Sequence, residues 1–146
     1  MKIEIRVDEN AEGIDVVVTC KHLTSEVEKI ISALRLLDKQ LIVKKGAETF
    51  LLDIEKIIYI ESVDRKCFIY TDMEVFESDY KLYELEKQLE EDGFFRVSKA
   101  CLIRLKSIHS LRADIDRRIR ITMSNGEQLI ASRFYADELK KRLGVK

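Results

Sequence analysis

The chain contains no proline, and no stretch rich in glycine or serine interrupts it, so no low-complexity linker divides it. No internal repeat is evident. Its three cysteines, Cys20, Cys67 and Cys101, are far apart and form no CxxC or Cys/His cluster. That excludes the usual structural zinc spacings and reads as three reduced thiols. The two histidines, His22 and His109, stand outside any metal-ligand spacing. No apolar run approaches the roughly 18 residues that a membrane helix needs. The opening MKIEIRVDEN alternates apolar and charged residues, unlike a signal peptide, so we expect a cytoplasmic protein. The sequence has no GxGxxG or GxxxxGK[ST] to cradle phosphates and no GxSxG elbow. The acidic runs Glu84–Glu86 and Glu90–Asp92 lie on the polar side of a helical pattern. We therefore expect no enzyme, no cofactor, no metal site and no small-molecule substrate.

What is present is a chain of 146 residues, 46% apolar and 36% charged. That length and composition suit one domain, or one domain with a small appendage. The formal net charge of −1 conceals a division. Residues 1–93 hold 13 Lys and Arg against 22 Asp and Glu, whereas residues 94–146 hold 13 against 5. Such asymmetry points to a polyanionic partner for the second half, or to the two halves packing on one another.

Periodicity organises the chain. Ile3, Ile5 and Val7 alternate with charges, and IDVVVTC (14–20) is β-branched, so two strands are expected around the turn-forming DENAEG. A helix follows, with Ser25 and Glu28 at capping-box spacing and Val27, Ile30, Ile31, Leu34 and Leu37 on one stripe. Residues 1–40 thus read as a small β-β-α unit, a dimerisation or regulatory element. From residue 41 to 146 short strands dominate: LIVKK, ETFLLD, IEKIIYIES, KCFIYT and EVFES. A helix over 79–92 carries Leu82, Leu85 and Leu89 and stops at Gly93. Strands resume from FFRV, and Asn125-Gly126 marks a hairpin between alternating flanks. The last helix is capped by Ser132 and carries Tyr135, Leu139 and Leu143. The fold class is mainly β with short helices, α+β overall, in small antiparallel sheets.

Bases alternate with apolar residues on the strands of the second half, which directs them to one face. Arg96, Arg104, Lys106, Arg118 and Arg120 are the candidates for phosphate contact. Lys99 and Arg133 differ, because they lie where the periodicity breaks: between FFRV and CLIRL, and at the opening of the last helix. Arg65 and Lys66 occupy a similar strand-to-strand turn. Loops and helix starts can aim side chains and backbone donors at phosphates or base edges.

Three segments together resemble the LytTR family, the LytR/AlgR-type DNA-binding domain of bacterial transcription regulators. They are DIEKIIYIES (53–62), LYELEKQLEEDGFFRVSKACLIRLKSIHSL (82–111) and SNGEQLIASRFYADELKKRLG (124–144), so the resemblance runs from about Leu41 to Leu143. It implies a β-rich fold whose loops, rather than a recognition helix, enter the DNA major groove. The positions it implies for contact are Arg65, Lys66 and Cys67, then Ser98 and Lys99, then Ser132 and Arg133. The chain departs from the family near Arg104, where an Asn is common. No receiver domain precedes the DNA-binding region, so control by receiver phosphorylation within this chain is not expected. Short members of this kind are thought to work with a membrane protein encoded nearby.

The expectation is a sequence-specific, double-stranded DNA-binding transcriptional regulator, acting as a homodimer because such regulators read repeated half-sites. Two alternatives stay open at this point: an RNA-binding module using Phe94, Phe95, Phe134 and Tyr135, and a protein-interaction module whose basic half docks on an acidic partner.

Overall fold

A computed structural model describes all 146 residues. The chain runs α1 (Ser25–Leu37), β1 (Gln40–Lys45), β2 (Glu48–Asp53), β3 (Tyr59–Val63), β4 (Lys66–Tyr70), β5 (Val75–Ser78), α2 (Leu82–Leu89), β6 (Phe94–Ser98), β7 (Cys101–Arg104), β8 (Ile108–Ala113), β9 (Ile119–Met123), β10 (Gln128–Ala131) and α3 (Arg133–Leu143). Short 3-10 turns connect several of these. One seven-stranded sheet has the order β2-β1-β5-β4-β3-β7-β6, and a three-stranded sheet has the order β10-β9-β8. All pairings are antiparallel. The long sheet is thinnest where β1 meets β5, through the single pair Lys44–Glu77.

The two faces of the long sheet build two cores. On one side Ile57, Ile60, Ile69, Phe94 and Leu102 pack with Leu82, Leu85 and Leu89 of α2. On the other, Tyr59, Phe95, Val97, Cys101 and Ile103 pack with Ile119, Ile121 and Met123 of β9 and Ala136 and Leu139 of α3. Strands β3, β6 and β7 therefore bury both faces. That is why FF-V and CLI read as near-continuous apolar runs rather than alternating ones. Burying each such side chain contributes about 1.5–3 kcal/mol. The short sheet buries one face only, and β9 alternates as expected, with Ile119, Ile121 and Met123 inside. The hairpin at Asn125-Gly126 joins β9 to β10, with Gly126 at φ 88° and Asn125 Oδ1 accepting from Glu127 N–H.

The N-terminal segment departs from expectation. Residues 1–24 form no strand and every one of them is exposed. The two alternating stretches do not pair, because an isolated two-stranded hairpin is marginal without a third strand or a packed face. Helix α1 does form, but its cap is Thr24 rather than Ser25: Thr24 Oγ1 accepts from Val27 N–H at 3.4 Å. Its apolar stripe is only half-buried. Leu36 reaches the first core, while Leu37 is 79% exposed. IEKIIYIES is not a single strand either, because Ile54–Lys56 make a 3-10 turn before β3. Helix α2 starts at Leu82, where Lys81 N–H donates to Glu84 Oε1.

Candidate nucleic-acid interface

Antiparallel pairing places several turns at one end of the molecule. The β3–β4 turn is the dipeptide Asp64-Arg65, and Ser62 N–H donates to Ala100 O at 2.7 Å, which sets it beside the β6–β7 turn. Ser132 N–H donates to Val97 O at 2.9 Å, which brings the start of α3 to the same place. Ile119 pairs with both Ala113 and Ala131, so the β8–β9 turn at 114–118 lies beside that helix start as well. A cleft there is lined by Asp116, Arg117 and Arg133. The opposite end of the sheets carries the acidic turns: Asp72 and Glu74 between β4 and β5, and Glu90, Glu91 and Asp92 before β6.

Two of these turns share one device. Asp64 and Arg65 have φ of 50° and 68°, and Asp116 and Arg117 have φ of 54° and 62°. Left-handed backbone is costly for a residue with a side chain, and Asp tolerates it better than most. Two consecutive left-handed residues turn a hairpin tightly, and in both cases the second one is an arginine. Arg65 and Arg117 are exposed and take no part in an ion pair or side-chain hydrogen bond. The same is true of Lys66, Lys99 and Arg133. Five cations are thus free on turns or a helix start at this end.

Three strand-borne bases, Arg96, Arg104 and Arg120, are engaged internally, whereas Arg112 of β8 is exposed and unpaired. Arg96 donates from Nε to Ser98 O at 2.9 Å, from one terminal nitrogen to Glu86 Oε1 at 2.9 Å and from the other to Lys99 O. Its side chain is only 18% exposed. Together with Ser98 Oγ, which accepts from Ala100 N–H at 3.3 Å, it shapes the turn that presents Lys99. Arg120 bridges Asp114 and Gln128 within the short sheet. Arg104 donates to Glu55 O at 2.7 Å at the far end of β7, and Lys106 lies just beyond it in the following 3-10 turn. Arg104 and Lys106 are therefore separated from Lys99 by the length of the strand. Arg118 precedes β9, 3.7 Å from Asp116.

Cys67, expected among the contact residues, is a core side chain at 1% exposure. The turn before it is tight enough that β4 starts at Lys66, and strand alternation then directs residue 67 inward. Burial pushes its thiol up, and burial with the nearby Glu61 carboxylate pushes Cys101 up to about 12. Ser132 holds the cap position of α3 through its backbone, with no side-chain capping bond, which leaves its hydroxyl free at the interface end. Arg117 and Phe134 are the residues that sequence periodicity missed. RADIDRRIR reads as one basic run, and nothing in it announces that Asp116 and Arg117 make a turn. Phe134 sits beside Arg133, 82% exposed, with its ring edge-on to Tyr135.

A model of the LytTr DNA-binding domain matches residues 47–144. An uncharacterized HTH-type transcriptional regulator of Staphylococcus aureus (strain NCTC 8325 / PS 47) is 25% identical over 147 residues, 99% of both chains. The sensory transduction protein LytT of Bacillus anthracis is 32% identical over 95 residues, 65% of this chain and 39% of that protein. Among solved structures, a LytTr DNA-binding domain from Bacillus cereus superposes with a TM-score of 0.69 at 24% identity, covering 73% of this chain and 97% of that one. The present fold contains no two helices joined by a short turn, since β6 to β10 separate α2 from α3.

Proposed function

Because this chain belongs to the LytTr DNA-binding domain family, we propose that it is a sequence-specific, double-stranded DNA-binding transcriptional regulator that inserts turns, not a helix, into the major groove. The observation that carries this reading is the gathering of five unpaired cations, Arg65, Lys66, Lys99, Arg117 and Arg133, at one end of the strands. Lys99 and Arg133 stand on the two segments tied together by the Ser132–Val97 hydrogen bond, and they are assigned base readout. Arg65, Lys66 and Arg117 flank them as phosphate contacts, with Ser98 and Ser132 as short polar neighbours. Arg96 is a positioning residue for the Lys99 turn. Arg104, Lys106 and Arg120 are not assigned contacts. The region from residue 41 to 146 is the DNA-binding unit, and residues 1–40 are an appended element through which two copies associate.

Exposure of the aromatics favours duplex over single-strand binding. Phe94 and Phe95 are buried and Tyr135 is half-buried, so only Phe134 is open in the basic half. A stacking platform for unpaired bases needs several exposed rings on a sheet face. One exposed ring beside Arg133 suits apolar contact with a thymine methyl in the major groove.

The test is binding to a duplex selected from a random pool, compared with a scrambled duplex at one salt concentration. Lys99→Ala and Arg133→Ala should each remove about 1–3 kcal/mol of discrimination between the two duplexes. Arg117→Ala should weaken binding equally on both. Equal losses for all three variants would reduce Lys99 and Arg133 to backbone contacts, and no loss for any would remove them from the site.

A further inference from the structure

We propose that residues 2–8 become a strand only in a dimer, pairing antiparallel with the same residues of a second copy about a two-fold axis at Ile5. This rests on the dimer proposed above and specifies its contact. The arm is apolar and uncovered: Ile3, Ile5 and Val7 are 78%, 85% and 93% exposed, and Ile14 and Val17 are 95% and 84% exposed. With Val16 and Val18, seven β-branched side chains are left open within the first twenty residues, the type of surface that marks an interaction site. The sequence alternates with the period of a strand. Glu4 lies 3.4 Å from Lys2 and 3.6 Å from Arg6, so these three charges share one side and Ile3, Ile5 and Val7 take the other. The one backbone bond in the arm, Ala11 N–H to Asp8 O, starts a turn just after it.

The order of charges selects the partner. Centred on Ile5, antiparallel self-pairing sets Glu4 opposite the second copy's Arg6, Lys2 opposite its Asp8, and Ile3 opposite its Val7. Symmetry repeats each of these pairs, as a two-fold interface requires, and directly opposed unlike charges favour the register. Moving the axis to Glu4 sets Glu4 against Glu4 and Lys2 against Arg6. Moving it to Arg6 sets Arg6 against Arg6 and Glu4 against Asp8. Both oppose like charges. An axis at Ile3 spares the charges but leaves Arg6 and Val7 unpaired. A parallel in-register pair repeats every like charge. Only the Ile5 register uses the whole alternating stretch.

Pairing in this register also relieves the weakness of the isolated hairpin. If each copy folds residues 14–20 back onto 2–8, the dimer holds four antiparallel strands, above the number at which a sheet with an apolar face is stable by itself. Helix α1, which starts after residue 24 and has no fully buried side chain, covers that face.

The experiment uses the full chain in a Cys20→Ser background. Directly opposed residues have Cα atoms about 4.5–5.5 Å apart, within disulfide reach, whereas residues offset by four positions lie roughly 13 Å apart. Under mild oxidation Ile5→Cys should form a covalent dimer. Ile3→Cys alone should not, and Ile3→Cys mixed with Val7→Cys should. In sedimentation, Glu4→Arg and Arg6→Glu should each weaken association by about tenfold, and the double exchange should restore it. A dimer that ignores the exchanges and does not cross-link at position 5 overturns the arm as the contact while leaving the dimer. A monomer at every concentration overturns both. Binding to a single DNA half-site, measured in parallel, separates either failure from a failure of the DNA-binding reading.

Discussion

Arg96 shows how much a single side chain organises. Its three donating nitrogens join the end of β6, the turn after it and α2, and it lies mostly out of solvent. Removing one partner of such a network leaves the Glu86 carboxylate and two carbonyls without their donor. Arg96→Ala should therefore lower unfolding free energy by about 1–3 kcal/mol in denaturant titration. It should also weaken cognate DNA binding while leaving the slope of affinity against salt unchanged, since it neutralises no phosphate. A shallower slope would show Arg96 to be a phosphate contact after all. The cysteines make a second residue-scale case. Cys20 is exposed, whereas Cys67 and Cys101 are buried, with thiols held protonated at neutral pH. A thiol reagent at pH 8 should modify Cys20 in the native protein and reach the other two only after unfolding. Native modification of all three would contradict the buried placement.

At the scale of elements, the β8–β9 hairpin depends on Asp114. Its carboxyl is held below the usual carboxylate range, first by the Ile115 N–H and also by Arg120. A depressed carboxylate adds stability above its unfolded value of about 3.9, and that contribution disappears as pH falls through the lower folded value. Asp114→Asn should therefore be less stable than the parent at pH 6, and the difference should shrink toward pH 3. A difference that does not change with pH would assign the effect to packing. Strand β9 shows where the sequence was legible. Ile119, Ile121 and Met123 alternate with polar residues because β9 buries one face, and Asn125-Gly126 announces the following turn, from β9 to β10. Strands β6 and β7 are harder to read. Both of their faces are buried, so alternation fails, and Arg96 looks like a surface base until its partners on α2 are known. The paired positive φ angles at Asp64-Arg65 and Asp116-Arg117 leave no glycine in the sequence to mark them. That is why Arg117 was missed, whereas Cys67, implied for contact by the resemblance, is turned inward by the alternation of β4. Residues 2–7 and 14–20 have the pattern of strands but form none in the isolated chain.

For the whole molecule, the topology sorts charge. Antiparallel strands bring the turns that carry Arg65, Lys99, Arg117 and Arg133 to one end, so a nearly neutral protein can gather free cations on one surface. The geometry divides the named bases by what they already do: Arg96, Arg104 and Arg120 are tied to the protein, whereas Arg65, Lys66, Lys99, Arg117 and Arg133 are free.

The most direct test of that division is the salt dependence of duplex binding for the full chain and two sets of variants. Each phosphate neutralised contributes about −0.9 to the slope of log K against log salt. Combining Arg65→Ala, Lys66→Ala and Arg117→Ala should make the slope shallower by roughly 2 to 3. Combining Arg104→Ala and Lys106→Ala at the opposite end should leave it unchanged. The reverse pattern, with the slope falling for the second set and holding for the first, would place the DNA at the other end of the strands and contradict the account.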